Sequence, residues 1–207
     1  GAIQVRSVSA SEDVQHLAYR FPAPDLVPLP DGSVDVLIAS ADYSTRAGEP
    51  VLPMIAARVA IPQGHEVVQV EVVPGPMRTY LLKAPVRHAR EPYPLSRPQE
   101  RRDTPRKADL YAADAPYPGV LCSPYSLQTK RGVAFADVVL YPVRYYPLSG
   151  RLVAYEEMSL KVMTRAKATV ARSKATEPGT WRARLRSETD AMAVAALLDN
   201  PDVLAAY

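Results

Sequence analysis

The chain has one cysteine, one tryptophan and nine glycines in 207 residues, and each scarcity excludes something. Cys122 has no second cysteine to meet, so no internal disulfide forms. Zinc sites built from four cysteines, or from two cysteines and two histidines, are excluded on the same ground. The three histidines, His16, His65 and His88, lie far apart with no i, i+4 pairing, so neither a metal nor a cofactor site is expected. The glycines do not cluster as a phosphate cradle. No P-loop, nucleophile elbow, H-E-x-x-H or EF-hand pattern occurs. No run of 18 apolar residues is present, so no membrane partner is expected. Arg6 comes early and no apolar h-region follows it, so no signal peptide is expected in these residues. Low cysteine use suits the cytosol and equally suits many bacterial exported proteins.

Net charge is small overall but unevenly placed. The net charge is +3, yet residues 87–107 hold seven Arg/Lys against three acids, and residues 165–186 hold seven against one. The remainder is net acidic. Both basic stretches are poor in the aromatics that would stack on bases, and no nucleic-acid motif appears, so no nucleic-acid partner is expected. Residues 165–186 read as solvated surface.

What is plentiful is proline, 21 residues, about twice the usual ~5% share. Proline breaks helices and central strands, which excludes a helical bundle and demands many turns and edges. Against that background the apolar pattern is one of strands. Residues 3–8 alternate with period two, and 16–21 and 34–39 are further strands. Between them lies a proline-rich stretch with an Asp31-Gly32 turn. Residues 54–61 form an apolar run, and 66–73 are the clearest strand, with Val68, Val70 and Val72 on one face. Pro74-Gly75-Pro76 ends it and residues 77–82 begin another.

Strands resume over 133–146, where Pro142 implies an edge, a bulge or two short strands. Residues 145–151 read as a hairpin turn. Residues 151–163 read as a long strand with Leu152, Met158, Leu160 and Val162 on one face and an interruption at Glu156. Ser187 caps a short helix that Asn200-Pro201 stops, with Met192, Ala195, Ala196 and Leu198 turned to a core. The expected fold is mainly β, an antiparallel β-sandwich (jelly-roll-like), carrying a long Pro/Arg-rich loop and one short C-terminal helix. The chain 1–207 reads as a single domain. The loop is 84–124, which holds eight prolines and is too long for an idle connector.

These residues offer little catalysis. Cys122 lies in an apolar stretch with no matching base and reads as a small buried hydrophobe. Glu156 and Glu157 are adjacent on a strand and face opposite ways, so they cannot share a proton. No catalytic residue is assigned, and the chain is not expected to be an enzyme.

The run Gly48-Glu49-Pro50-Val51-Leu52-Pro53, then Ala60-Ile61-Pro62-Gln63-Gly64 and the Val67–Val73 strand, resembles the N-terminal propeptide of gingipain-type cysteine peptidases. A second stretch, Tyr141-Pro142-Val143-Arg144-Tyr145-Tyr146-Pro147-Leu148-Ser149-Gly150-Arg151-Leu152, is similar to that family's hairpin. The resemblance covers nearly the whole chain.

It implies an inhibitory, folding-assisting β-sandwich that covers the active site of a cognate caspase-like cysteine protease domain. A basic loop residue would occupy the S1 pocket until proteolysis releases the enzyme. The catalytic Cys and His would belong to that other domain, not to Cys122, and residues 187–207 would be a helix and the junction to it. Family members are exported, so a secreted or periplasmic precursor is implied. The resemblance places the loop residue nearest Arg90, with Arg87 and Arg97 as the other candidates. Pro98 after Arg97 would slow cleavage of that bond. Arg101, Arg102, Arg106 and Lys107 are candidate processing sites. The alternative is a stand-alone β-sandwich adhesion or carbohydrate-binding module. It has one Trp to offer, Trp181, set in an Arg-rich stretch. Tyr141, Tyr145, Tyr146 and Tyr155 are expected to pack across strands rather than anchor an interface.

Overall fold

In a computed structural model, residues 2–93, 95–96, 103–167 and 187–207 are described. Arg97, Arg101, Arg102 and Trp181 lie outside them. The described chain is mainly β, and every strand pair is antiparallel. One four-stranded sheet has the order β1 (Gln4–Ala10), β2 (Val14–Arg20), β13 (Glu157–Ala166), β7 (His65–Pro74). A second has the order β5 (Asp42–Tyr43), β6 (Pro53–Ala60), β10 (Val133–Leu140), β9 (Ser126–Lys130). A three-stranded sheet runs β11 (Val143–Tyr146), β12 (Arg151–Tyr155), β8 (Met77–Leu81), and β3 (Asp25–Pro28) pairs with β4 (Val34–Leu37). The expected antiparallel, mainly β fold holds, while the jelly-roll arrangement is not evident in these strand orders.

The main core lies between the two four-stranded sheets. Leu17, Tyr19, Met158, Leu160 and Val162 meet Ile55, Ala57, Val59, Val138 and Leu140. A second cluster joins the smaller sheets through Val36, Leu52, Val86, Val143, Tyr145 and Leu152. Tyr145 and Tyr155 are buried and Tyr146 packs on the core, as cross-strand packing requires.

Two predicted strand faces are corrected. On β7, Met163 pairs with Gln69 and Thr164 with Val67, so Val68 is the extra residue of a bulge. Val67, Val70 and Val72 therefore pack on the core while Val68 is 52% exposed. The run 151–163 is two strands. At Glu156 the chain passes from the three-stranded to the four-stranded sheet, and the alternation changes phase. Val153 and Tyr155 face the main core before the break, and Met158 and Leu160 after it. Leu152 belongs to the second cluster instead. Pro142 likewise separates β10 from β11. The proline-rich stretch hides a strand, since β3 and β4 close around Asp31-Gly32 with Gly32 at φ +77°.

The C-terminal segment docks on the edge of β6. Helix α2 (Glu188–Ala195) is capped by Ser187 Oγ, which accepts from the Asp190 amide. Asp199 Oδ2 accepts from the Arg58 amide at 2.8 Å and from the Tyr19 hydroxyl at 2.8 Å. Asn200 accepts from the Ala60 amide at 2.6 Å and donates to Ala60 O and Gln15 Oε1, both at 3.2 Å. These side chains satisfy strand-edge groups that would otherwise template another chain. The expected inward face of the helix is partly corrected. Val194 and Leu198 are buried, whereas Met192 is 72% exposed and Ala196 is exposed. The α-helix ends at Ala195, so residues beyond it leave its periodicity. A 3-10 turn, Pro201–Ala206, follows and brings Tyr207 Oη to donate to Ile61 O at 2.6 Å.

Candidate inhibitory surface

Beyond β8 the chain enters the 84–124 stretch, and its first residues are stitched to the body. The Val34 amide donates to Pro85 O and the Arg87 amide to Val34 O, both at 2.9 Å, with Val86 fully buried. The Val51 amide donates to Arg87 O at 2.8 Å, the Ala89 amide to Glu49 O at 2.9 Å and the Gly48 amide to Ala89 O at 2.8 Å. Residues 86–89 thus run between β4 and the 47–51 turn, a backbone ladder on each side. Arg87 spends its guanidinium on Asp35, with Nε 2.5 Å from Oδ1.

Arg90 follows directly. It is exposed, and among the described residues its side chain has no ion-pair or hydrogen-bond partner. Its charge is nonetheless felt at Asp31. The Asp31 carboxyl lies below its ordinary value, through hydrogen bonds from the Ser33 hydroxyl and amide first and the charges of Arg90 and Arg106 after them.

The returning chain is pinned beside the departing one. Thr104, itself buried, accepts the Glu91 amide on Oγ1 at 2.8 Å, and its carbonyl lies 2.7 Å from His88 Nε2. The Lys107 amide donates to Gly48 O at 3.0 Å and its ammonium to Glu49 Oε1 at 2.5 Å. The Tyr117 hydroxyl donates to Glu49 Oε2 at 2.6 Å. Burial pushes the Glu49 carboxyl up, but the bonds from Lys107 and Tyr117 and the Lys107 charge outweigh it and hold it below the ordinary value. Burial, with the Glu49 bond, pushes the Tyr117 phenol up.

Gly48 explains why this turn is built as it is. It stands at φ +79°, and a Cβ there would sit 2.9 Å from Pro105 O. Only glycine accepts both the left-handed backbone and the close pass of the returning chain. A one-turn helix α1 (Ala108–Tyr111) comes next, and Arg106 lies over the Tyr111 ring at 5.4 Å. Residues 117–123 then run beside β10 and β11. Tyr117 and Tyr145 exchange two backbone bonds of 2.7 Å, and the Ser123 amide donates to Val139 O at 2.8 Å.

Of the residues named from the sequence, the structure gathers Arg87, Arg90, Arg106 and Lys107 around one neck and gives them different surroundings. Arg90 and Arg106 are exposed at the surface, while Arg87 and Lys107 are each spent on a carboxylate. Sequence reasoning missed Glu49, Thr104 and His88. The only sign was that Glu49 follows a glycine within the Gly48–Pro53 motif. Cys122 is half-buried against the main core, and burial pushes its thiol up, away from the thiolate a nucleophile needs. Glu156 and Glu157 line one cavity of about 520 Å³, but each bonds its own arginine, Arg78 and Arg20. Among the described residues no group of three His, Cys, Asp or Glu stands ready for a metal. No described helix is long and apolar enough to cross a membrane.

Comparison with known proteins places this scaffold. No curated protein matches the sequence. The complex of Porphyromonas gingivalis RgpB pro- and mature domains is similar in structure, with TM-score 0.71 at 18% identity, over 96% of this chain and 97% of that one. A structure describing zymogenic latency of gingipain K from Porphyromonas gingivalis is similar with TM-score 0.63 at 19% identity, over 80% of this chain and all of that one. At such identities the likeness is one of fold. The family Propeptide_C25 matches residues 27–177, most of the sequence. The chain therefore belongs to the propeptide family of the gingipain-type cysteine peptidases and is a non-catalytic prodomain.

Proposed function

We propose that this prodomain is the inhibitory and folding-assisting part of an exported gingipain-like precursor. Its partner is the mature cysteine peptidase domain of the same precursor. It covers that domain's active site and offers Arg90 to the S1 pocket until proteolysis removes it. The observation that carries this reading is the placement of Arg90. It is an exposed guanidinium immediately after four residues fixed by backbone bonds on both sides. A pocket ending in a carboxylate takes such a group through a bidentate, charge-assisted pair. A segment already fixed before docking loses little entropy on docking.

Arg87 is the weaker candidate because entering a pocket would cost it the Asp35 pair. Arg97, followed by Pro98, stays the rival. Among the processing candidates, Lys107 is tied by backbone and ammonium, so Arg106 is the more open of the two described. Arg101 and Arg102 stand beside it as candidates. No observation favours the adhesion or carbohydrate-binding alternative.

Titrating the chain against the downstream peptidase domain tests the proposal. Arg90→Ala should raise the inhibition constant by about 100-fold, on the scale of a lost charge-assisted anchor, and Arg97→Ala by far less. The reverse order would move the role to Arg97. Undiminished inhibition by the double variant would sink the pocket mechanism. No binding at all would sink the prodomain pairing.

A further inference from the structure

Glu91 and Thr104, thirteen positions apart, lie side by side against the body, the Glu91 amide 2.8 Å from Thr104 Oγ1. Three contacts close that neck: the Glu91 amide on Thr104 Oγ1, His88 Nε2 against Thr104 O, and the Lys107–Glu49 pair with its companion bond to Gly48 O. None of them involves residues 92–103, and Leu95 is 90% exposed.

The sheets tell the same story on a larger scale. A break at 95/96 divides the chain into a first piece carrying β1 to β8 and a second carrying β9 to β13. These pieces do not form separate halves. β13 lies between β2 and β7, β10 pairs with β6, and β12 pairs with β8. The main core mixes both pieces, with Leu17, Tyr19 and Ile55 against Val138, Leu140 and Leu160. Among the described sheets only β3–β4 belongs wholly to one piece.

We propose that the prodomain tolerates cleavage of this loop: hydrolysis between Leu95 and Ser96 leaves a two-piece inhibitor that still presents Arg90, with Thr104 as the positioning residue that holds the neck. Hydrolysis adds one water across the peptide bond and leaves a carboxylate and an ammonium group in solvent. It removes no neck contact and no strand pairing. Arg90 stays attached to the ladder of residues 86–89. Cleavage at this bond is therefore not by itself the releasing event; release needs a further cut, one that unties the neck, the body or the junction. The proposal rests on the Arg90 reading for its inhibitory part and on the strand pairing alone for its structural part.

The test inserts the recognition site of an unrelated endopeptidase between Leu95 and Ser96 of the full chain and cuts it. The two pieces should co-elute at the size of the uncut chain and unfold in one thermal transition. The inhibition constant against the downstream peptidase domain should stay within about threefold of the uncut value, since the presented contacts are unchanged. In the cut chain, Thr104→Val should weaken inhibition by about tenfold, the scale of one buried hydrogen bond, with co-elution retained and Thr104→Ser restoring it. Pieces that separate under native conditions would overturn the proposal. So would co-eluting pieces that have lost inhibition a hundredfold. A Thr104→Val variant as potent as its parent would remove Thr104 from the role. If uncut Arg90→Ala inhibits undiminished, the pocket reading fails, and co-elution still decides whether the cut is tolerated.

Discussion

The core between the two four-stranded sheets and the neck around Glu49 hold chain segments together by opposite means. In the core, Leu160, Val162, Val138 and Leu140 are completely buried, and attraction scales with apolar area. In the neck, a buried carboxylate gathers an ammonium and a phenol, and a buried threonine receives a backbone amide. Apolar burial is indifferent to pH and strengthened by excluded salts. Charge-assisted contacts are sensitive to both. This division leaves the body to apolar burial and places the pH- and salt-responsive chemistry at the neck.

The largest effect expected on that comparison comes from emptying the core. Leu160→Ala should cost about 2–5 kcal/mol, read as a lowered midpoint in urea. A comparable loss from any single neck substitution would erase the distinction. Next is the strand-edge dock. Asn200→Ala leaves the Ala60 amide and carbonyl unpaired and should cost about 1–3 kcal/mol. Hydrogen exchange should show the Ala60 amide losing protection before β10 does.

Gly48→Ala comes third. Strain at positive φ, added to the close pass of Pro105 O, should cost about 1–3 kcal/mol. Limited proteolysis should find the 103–107 stretch opened while the core stays protected. If the core opened first, the neck would be part of the body rather than a tether.

The smallest effect is on acid, and its sign separates two carboxylates. The folded pKa of Glu49 is held below its ordinary value, so the unfolded chain binds the proton more readily. The Glu49 contribution is present above the ordinary carboxylate value and is lost as pH falls through the depressed folded one. Asp199 is the reverse. Burial raises it first, Asp137 adds to the rise, and hydrogen bonds from the Arg58 amide and Tyr19 only partly oppose them. Its unfavourable burial as an anion is present in full above the raised folded value and is relieved as pH falls towards the ordinary one. Carbon-detected titration of the two side chains should find Asp199 above the ordinary aspartate value and Glu49 below the ordinary glutamate one. A shift of the opposite sign at either residue would contradict its environment.

Much of this was written locally in the sequence. Apolar runs and period-two alternation located most of the longer strands, Asp31-Gly32 marked a turn, Pro142 marked an edge, a bulge or a division, and Ser187 capped a helix. What failed did so for tertiary reasons. The Val68 bulge exists because β7 must keep register with β13, a partner about ninety positions away. The change of phase at Glu156 exists because the chain crosses from one sheet to another. Helix α2 turns Val194 rather than Met192 inward because β6 and β10 dictate where its short face lands. The short strands β3, β5 and β9 carry too few residues for a pattern.

The candidate site divides in the same way. The chemical inventory was legible in the sequence, since eight prolines in 84–124 keep that stretch from forming a long regular strand or helix, although residues 86–89 still find backbone partners on both sides. Gly48 was visible only as part of the Gly48–Pro53 motif; its left-handed backbone and the close pass of Pro105 O came with the fold. The sequence could not say which basic residue is spent and which is offered. Arg87 and Arg90 are three positions apart and chemically identical. Asp35, brought near by β4, binds one of them and leaves the other exposed. Local conformation follows from each residue's own sterics, whereas an ion pair depends on where a distant carboxylate is carried, and only the folded sheets decide that.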